Sequence, residues 1–441
     1  MLRAGWKPAL EGCRNLILML VVLLPASLFA ARSVYAIPAF ARKYQTSCAT
    51  CHVAPPALTP FGEAFRLNGY RFPAGMDEEM TKIPPVPLGA EGYKKLWPKA
   101  LWPGTIPGMP PVAVVYTSTI DYDHAAKAVT FQGMGGELEI FGAGTLDEHL
   151  SFWGSVDFSR NGADVEGIET AMERVNVQVR PLSGPELQFK VGSFEPGLML
   201  VSTHRSIFDQ ELMVLTAPAG DNPWAPEGFQ QGLEGFGVIQ HRLLYNAGVV
   251  EGSGSIGDAS KDVYGRVAYK FGGLPFDGVT KGGAEAAMPG GTKPWSETSL
   301  AISGFAYRGK SFLGDPADPE NPHDKFRLYG ADAAINYHDL MGHAGYVHRT
   351  DDQLFIADPT ATDVPTKDKF AELTWVTYPW LIPAARWESY KVDDGDTQQI
   401  SLTITGLARA NVKTFLAADW VKDPGGKYVN EGGTLGVLMG F

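Results

Sequence analysis

Val175-Asn176-Val177-Gln178-Val179, then Pro181-Leu182-Ser183-Gly184-Pro185, then Leu187-Gln188-Phe189-Lys190-Val191, is the stretch whose reading decides the fold. Valine alternates with amides before the turn. Apolar residues alternate with glutamine and lysine after it. A period of two belongs to an extended strand, whose successive side chains point to opposite faces. The proline- and glycine-framed turn joins the two runs into a hairpin. The same texture returns in Val263, Val267, Tyr269 and Phe271, in Ile400, Leu402 and Ile404, and in Leu435, Val437, Met439 and Phe441.

Alternation leaves two architectures open. In a soluble sandwich the apolar face points inward; in an outer-membrane barrel it points to lipid and the polar face lines a lumen. Three features favour the barrel. Short connections near 146–148, 182–184, 339–341, 380–382 and 407–409 alternate with long polar ones near 160–171, 194–232, 310–325 and 350–368, the pattern of periplasmic turns and external loops. Arg266, Glu372 and Arg386 fall within strands, where a dry core would not accept them. The alternating run ending on Phe441 resembles the C-terminal signature of bacterial outer-membrane barrels. The expected fold is mainly β: an antiparallel outer-membrane barrel of about sixteen strands, within a range of about fourteen to eighteen, spanning 112–441. Gly272 to Thr298 is long where the count wants a short turn.

The composition agrees. The 51 glycines and 11% aromatic residues suit many short strands and turns. A mean hydropathy of −0.09 and the lack of a second long apolar run exclude a helical membrane protein. Arg3, Lys7 and Arg14 precede an apolar core from Leu16 through Phe29, and Val34-Tyr35-Ala36 offers a cleavage site. Residues 1–36 therefore read as a secretory signal, with Ile37 as the mature N-terminus. Its removal takes away four basic residues and one acidic one, moving the net charge from −12 to −15. So acidic a chain is a poor partner for nucleic acid.

Cys48-Ala49-Thr50-Cys51-His52 carries the chemistry. Two thiols spaced in this way reach the two vinyl groups of one porphyrin edge, and the adjacent imidazole reaches the iron, as in covalent attachment of one haem c. Of the three cysteines, Cys13 lies in the signal. Zinc would need two more soft or imidazole ligands, which the flanks do not supply. A thioredoxin-like pair would need a βαβ context. A plain disulfide is the remaining alternative. Export fits attachment of haem outside the cytoplasm.

Residues 37–111 form one expected unit. Thr59 caps a short helix with Pro60 at its first position, Phe61, Ala64 and Phe65 share a face, and Gly69 follows near its end. Ile83-Pro84-Pro85-Val86-Pro87 and the prolines through Pro111 forbid a long helix or central strand. His52 is the expected proximal ligand. Met109, in its proline frame, is the first candidate for the distal position, with Met76 and Met80 as alternatives; a thioether there would raise the potential.

The run Pro38-Ala39-Phe40-Ala41-Arg42-Lys43-Tyr44, the haem motif, Leu58-Thr59-Pro60-Phe61-Gly62-Glu63-Ala64-Phe65 and Leu67-Asn68-Gly69-Tyr70 are similar to the start of the fused outer-membrane monohaem cytochrome–porins, including the iron-oxidising outer-membrane cytochromes c. The resemblance covers roughly residues 38–72 and is architectural beyond them. It implies electron transfer across the Gram-negative outer membrane. The implied partners are lipid, an extracellular donor such as ferrous iron or an acceptor, and periplasmic carriers such as small cytochromes c. The alternatives are a diffusion porin with a haem plug or sensor, and electron export to external acceptors. A hydrocarbon core ~30 Å thick is too wide for one efficient hop, so a single haem is expected within the lumen.

Two further groups have oxygen or imidazole donors. His338, His343 and His348 cluster in sequence, with polar strand ends as the plainer reading. Asp315-Pro316-Ala317-Asp318-Pro319-Glu320 and Asp393-Asp394-Gly395-Asp396 suit divalent cations, with ordinary solvated loops as the plainer reading.

Overall fold

The computed structural model describes residues 39–87, 95–96, 105–159, 169–252, 261–280, 293–314, 322–358 and 360–441. The expected signal, residues 1–36, and the acidic run 315–320 lie outside them.

Among the described residues, sixteen strands close into one antiparallel barrel. They are β1 Val112–Asp123, β2 Ala128–Thr145, β3 Leu150–Ser159, β4 Glu169–Val179, β5 Gln188–Phe194, β6 Gln230–Ile239, β7 Leu243–Val250 and β8 Asp262–Gly272. The second half comprises β9 Glu297–Phe312, β10 His323–His338, β11 Leu340–Asp351, β12 Val364–Trp375, β13 Leu381–Val392, β14 Gly395–Arg409, β15 Val412–Lys422 and β16 Val429–Gly440. Each pairs with its neighbours in sequence, and β16 closes on β1, with Leu435 opposite Ile120. Phe441 extends the seam: its N–H donates to the Val114 carbonyl at 2.8 Å. Closure removes every sheet edge, which lipid could not satisfy.

The faces are inverted relative to a soluble core. On β8, Val263, Val267 and Phe271 are exposed, while Asp262, Arg266 and Lys270 are buried. On β4, Val175 and Val177 face outward and Asn176 and Gln178 inward. Apolar side chains outside and polar ones inside define a transmembrane barrel, not a sandwich. The protein sits in the outer membrane. No described helix is long and apolar enough to cross a bilayer; the strands cross it.

Short connections, 146–149, 180–187, 240–242 and 410–411, gather at the end where β1 begins and β16 finishes, the periplasmic end. The connection that follows Gly272 leaves from and returns to that same end, where β8 and β9 pair directly; of it, residues 273–280 and 293–296 are described. Gly278 in this connection has φ +73°, and a Cβ there would press on Pro73 and Ala64.

The connection 195–229 departs from expectation. It starts and ends at the outer end, but it folds into the lumen. Leu198, Met199, Leu212, Leu215 and Trp224 are buried against inward residues of the wall, among them Tyr264, Phe305, Tyr307 and Phe370. Two of the charges read within the strands, Arg266 and Arg386, are its partners, joined by Arg349 and Glu388; Glu372 instead accepts from Arg386 Nε at 3.1 Å. Arg266 Nη1 donates to the Met199 carbonyl at 2.5 Å, and Arg349 Nη1 to that of Trp224 at 3.0 Å. Arg386 Nη1 donates to the Gln210 carbonyl at 2.6 Å. Glu388 accepts from the N–H groups of Met213 and Val214 at 2.8 and 2.9 Å, where a short helix, Met213–Thr216, begins. A loop buried in this way must have its backbone groups satisfied, and charged partners do it most strongly.

Residues 39–87 fill the periplasmic half of the lumen. Leu67 packs with Val238, Leu244, Ala268 and Ala301, and Val53 and Ala54 pack with Ile382 and Ala384. Barrel and plug belong to one compact unit, Ile37–Phe441.

Candidate haem-attachment site

The plug begins with helix α1, Ala39–Tyr44, and then makes a tight 3-10 turn over Cys48–Thr50. Ser47 Oγ caps this turn, accepting from the Ala49 N–H at 3.2 Å. The Cys51 N–H donates to the Cys48 carbonyl at 3.1 Å, so both thiols leave from one turn of backbone. Both are free thiols. Burial raises both thiol pKa values, that of Cys51 to about 12 with help from Cys48.

His52 follows at the start of a two-stranded ladder, His52–Ala54 with Ala57–Leu58. Its Nδ1 lies 3.2 Å from the Pro56 carbonyl oxygen. With Nδ1 as donor, Nε2 carries the free lone pair that a metal needs. Burial lowers the pKa of His52, opposed by carbonyl hydrogen bonds, so the ring is neutral at pH 7.

Helix α2, Pro60–Leu67, forms with Thr59 as its cap, as the sequence predicts, and it locks onto this turn. Thr59 is wholly buried. Its Oγ1 donates to the Thr50 carbonyl at 2.9 Å and accepts from the Gly62 N–H at 3.1 Å, while its own N–H donates to the Cys51 carbonyl at 2.9 Å. A Cβ at position 62 would overlap the Cys51 carbonyl oxygen, so only glycine permits this approach.

Tyr44, Phe61, Phe65 and Phe72 form a buried aromatic cluster, and Cys51, Met76 and Met80 pack against it. Met109 lies elsewhere, beyond the small strand Thr105–Ile106 that pairs with Val86–Pro87. There the Gly108 backbone sits against the Pro84 carbonyl. The structure thus brings two of the three candidate methionines to the cluster that carries Cys51. The donor set fits haem c: two thiols on one turn, an oriented neutral imidazole, and an apolar shell with thioethers.

The plug is tied to the wall mostly by its own donors. Arg71 Nη2 donates to the carbonyls of Asp147 and Leu150, each at 2.7 Å, and Asn68 Nδ2 to that of Asp277 at 2.8 Å. Gln188 on the wall donates to the Leu67 carbonyl at 2.6 Å. Tyr70 stacks on Trp153 of β3 at 5.1 Å between ring centroids. Plug and inward loop meet where Arg205 Nε lies 3.4 Å from Glu63 Oε1. Cavities of about 150 and 100 Å3 remain between plug, loop and wall, the scale of small water clusters.

The other candidates stay apart. His343 faces the lumen, with Nδ1 2.9 Å from Glu372 Oε1. His348 faces the other way, beside Tyr329, and His338 ends β10 in a left-handed conformation, φ +55°. They do not converge on one ion. Asp396 is held within its hairpin by Ser389 and Gln398, at 2.7 Å each, and Asp394 is solvated.

No protein-family profile matches the chain, and no curated protein matches it. Solved structures do. OmpF of Salmonella typhi, in a complex with daunomycin, superposes with a TM-score of 0.51 at 11% identity, covering 75% of this chain and 97% of OmpF. An anion-selective porin from Comamonas acidovorans gives 0.49 at 13% identity, covering 75% of this chain and 97% of its own. The outer membrane channel DcaP of Acinetobacter baumannii gives 0.49 at 9%, covering 75% and 96%. The fold is that of an outer-membrane porin. At these identities the likeness extends to the fold alone.

Proposed function

We propose that this porin-like barrel is an electron conduit, with one haem c held by Cys48, Cys51 and His52 in the plug. The observation that carries the reading is the pairing of two free thiols on one turn with an imidazole whose Nδ1 is fixed to the Pro56 carbonyl, inside a barrel lumen. When bound, haem c supplies a one-electron carrier. The chain's own residues do the rest. Thr59 and Gly62 hold the attachment turn against helix α2. Tyr44, Phe61, Phe65 and Phe72 exclude water from it, and Met76 or Met80, packed against that cluster, would supply a thioether to the iron, ahead of Met109. The barrel walls off the lipid, so an extracellular donor such as ferrous iron and a periplasmic carrier such as a small cytochrome c approach from opposite ends.

A pyridine haemochrome spectrum of the purified protein tests the attachment. The wild type is expected to show a haem with both vinyls saturated, and Cys51→Ser one with a single thioether or none. An unchanged spectrum in Cys51→Ser would remove the assignment.

A second reading, a diffusion porin with a structural or sensing plug, is favoured by the porin fold and the polar lumen wall. Solute flux in liposomes separates the two: a conduit passes little, because the plug and the 195–229 loop both occupy the lumen.

A further inference from the structure

Glu139 on β2 stands directly opposite Asp157 on β3 in the barrel register. Glu173 joins them from β4 through a bulge. Gly154 pairs with Val175 and Val156 with Met172, so Glu173 and Arg174 together oppose the single residue Ser155. Met172 and Val175 both face outward, and the extra residue lets Glu173 and Arg174 both turn to the lumen. One carboxylate oxygen from each of Glu139, Asp157 and Glu173 lies within 4.8 Å of the others.

Proximity of acids alone would mean little. The second observation is Asp157, which is 7% exposed and whose Oδ1 is buried without a hydrogen-bond partner. Glu139 Oε1 also lacks a hydrogen bond; its nearest cation is Arg174 Nη2 at 3.9 Å. Ser155 Oγ donates a long bond, 3.4 Å, to Glu173 Oε2. A buried carboxylate oxygen without a partner is costly, and one that faces two further carboxylates is costlier still. A small divalent ion bound by all three relieves both costs at once.

We propose that Glu139, Asp157 and Glu173 form a divalent-cation site on the lumen wall. Three carboxylates and no nitrogen or sulfur donor select hard oxygen-seeking ions: manganous, calcium, magnesium or ferrous. The site communicates with the plug by direct contact. Arg174 lies over the Trp153 ring at 5.4 Å, Trp153 stacks on Tyr70, and Tyr70 stacks on Phe40 at 5.5 Å. Phe40 meets Phe65, in the cluster that carries Cys51, at 5.1 Å. On the conduit reading, on which this last step rests, the ion held here is the ferrous donor on its way to the plug.

The test uses manganous ion, which reports binding without needing haem or electron transfer. The full-length protein in detergent is titrated with Mn2+, and free ion is counted by electron paramagnetic resonance. The wild type is expected to bind one ion saturably. Asp157→Asn, close in size and shape, is expected to weaken binding more than about tenfold, and Glu173→Gln likewise. Asp394→Asn, in a solvated turn, is expected to change nothing. Heat-modifiable mobility confirms that each variant is folded; if Asp157→Asn is not, Glu173→Gln decides. Equal Mn2+ binding by wild type and the folded lumen variant overturns the site. Lost Mn2+ binding with liposome electron transfer absent even in the wild type would keep the site and reject only the conduit.

Discussion

The plug and the inward loop fill one lumen by opposite means. The loop 195–229 enters from the outer end and is gripped by the wall: Arg266, Arg349 and Arg386 reach its carbonyls, and Glu388 takes two of its N–H groups. The plug enters from the periplasmic end and does most of the gripping itself, through Arg71 and Asn68 to wall carbonyls. The difference has a physical consequence. Without its loop, the wall keeps buried charges that have lost their partners. Without its plug, the wall loses donors to carbonyls and the acceptor of Gln188, which water can replace, together with the apolar contacts of Leu67, Val53 and Ala54, but it strands no buried charge of its own strands. The loop is part of the barrel's own stability, and the plug is a separable cargo.

Removing the plug gives the largest effect. A chain lacking residues 39–105 is expected to fold, to keep its heat-modifiable mobility, and to conduct ions in planar bilayers where the intact chain scarcely does. A deletion variant that fails to form a barrel would show that plug and wall are not separable.

The loop should respond the other way. Glu388→Ala leaves the Met213 and Val214 N–H groups without their acceptor, at about 2–5 kcal/mol in all. Its expected signature is protease cleavage within 207–216 and a lower unfolding temperature. Resistance equal to wild type would show that the wall does not hold the loop. A tag inserted within 207–215 should also be hidden on intact cells, whereas one within Thr360–Lys367 should be labelled.

The smallest effects are on the plug's own ties. Arg71→Ala removes the charged donor to the Asp147 and Leu150 carbonyls and should loosen the plug by about 1.5–3 kcal/mol. The barrel's unfolding should stay unchanged, while residues 39–87 exchange amide hydrogens faster. Glu63→Gln, at the contacts with Arg66 and Arg205, should cost about 1 kcal/mol or less, because both pairs are part-exposed.

The barrel was legible because its rule is local: a period of two places Val175 and Asn176 on opposite faces whatever surrounds them. The turn that carries Cys48 and Cys51 beside His52 was legible because these residues adjoin in sequence, and the Thr59-Pro60 cap announces helix α2. The inward course of 195–229 was not. Its length and polar residues suggested an external loop, yet Leu198, Leu212, Leu215 and Trp224 were the sign that it needed a core. Its other sign was the pair Arg266 and Arg386, whose donors inside the barrel need acceptors that the loop supplies. The carboxylates at 139, 157 and 173 had no sequence signature, because cross-strand register and a bulge bring them together. Which of Met76, Met80 and Met109 packs on the cluster with Cys51 likewise needed the fold, since a proline frame says nothing about which thioether reaches it.

The most direct measurement of the central claim is electron transfer through the protein in sealed liposomes, from external ferrous iron to cytochrome c enclosed within, for wild type and His52→Ala. The account predicts reduction of the enclosed cytochrome by the wild type and none above the protein-free rate by His52→Ala, with the variant barrel still folded. Equal rates for the two proteins would contradict it and leave a plugged porin in its place.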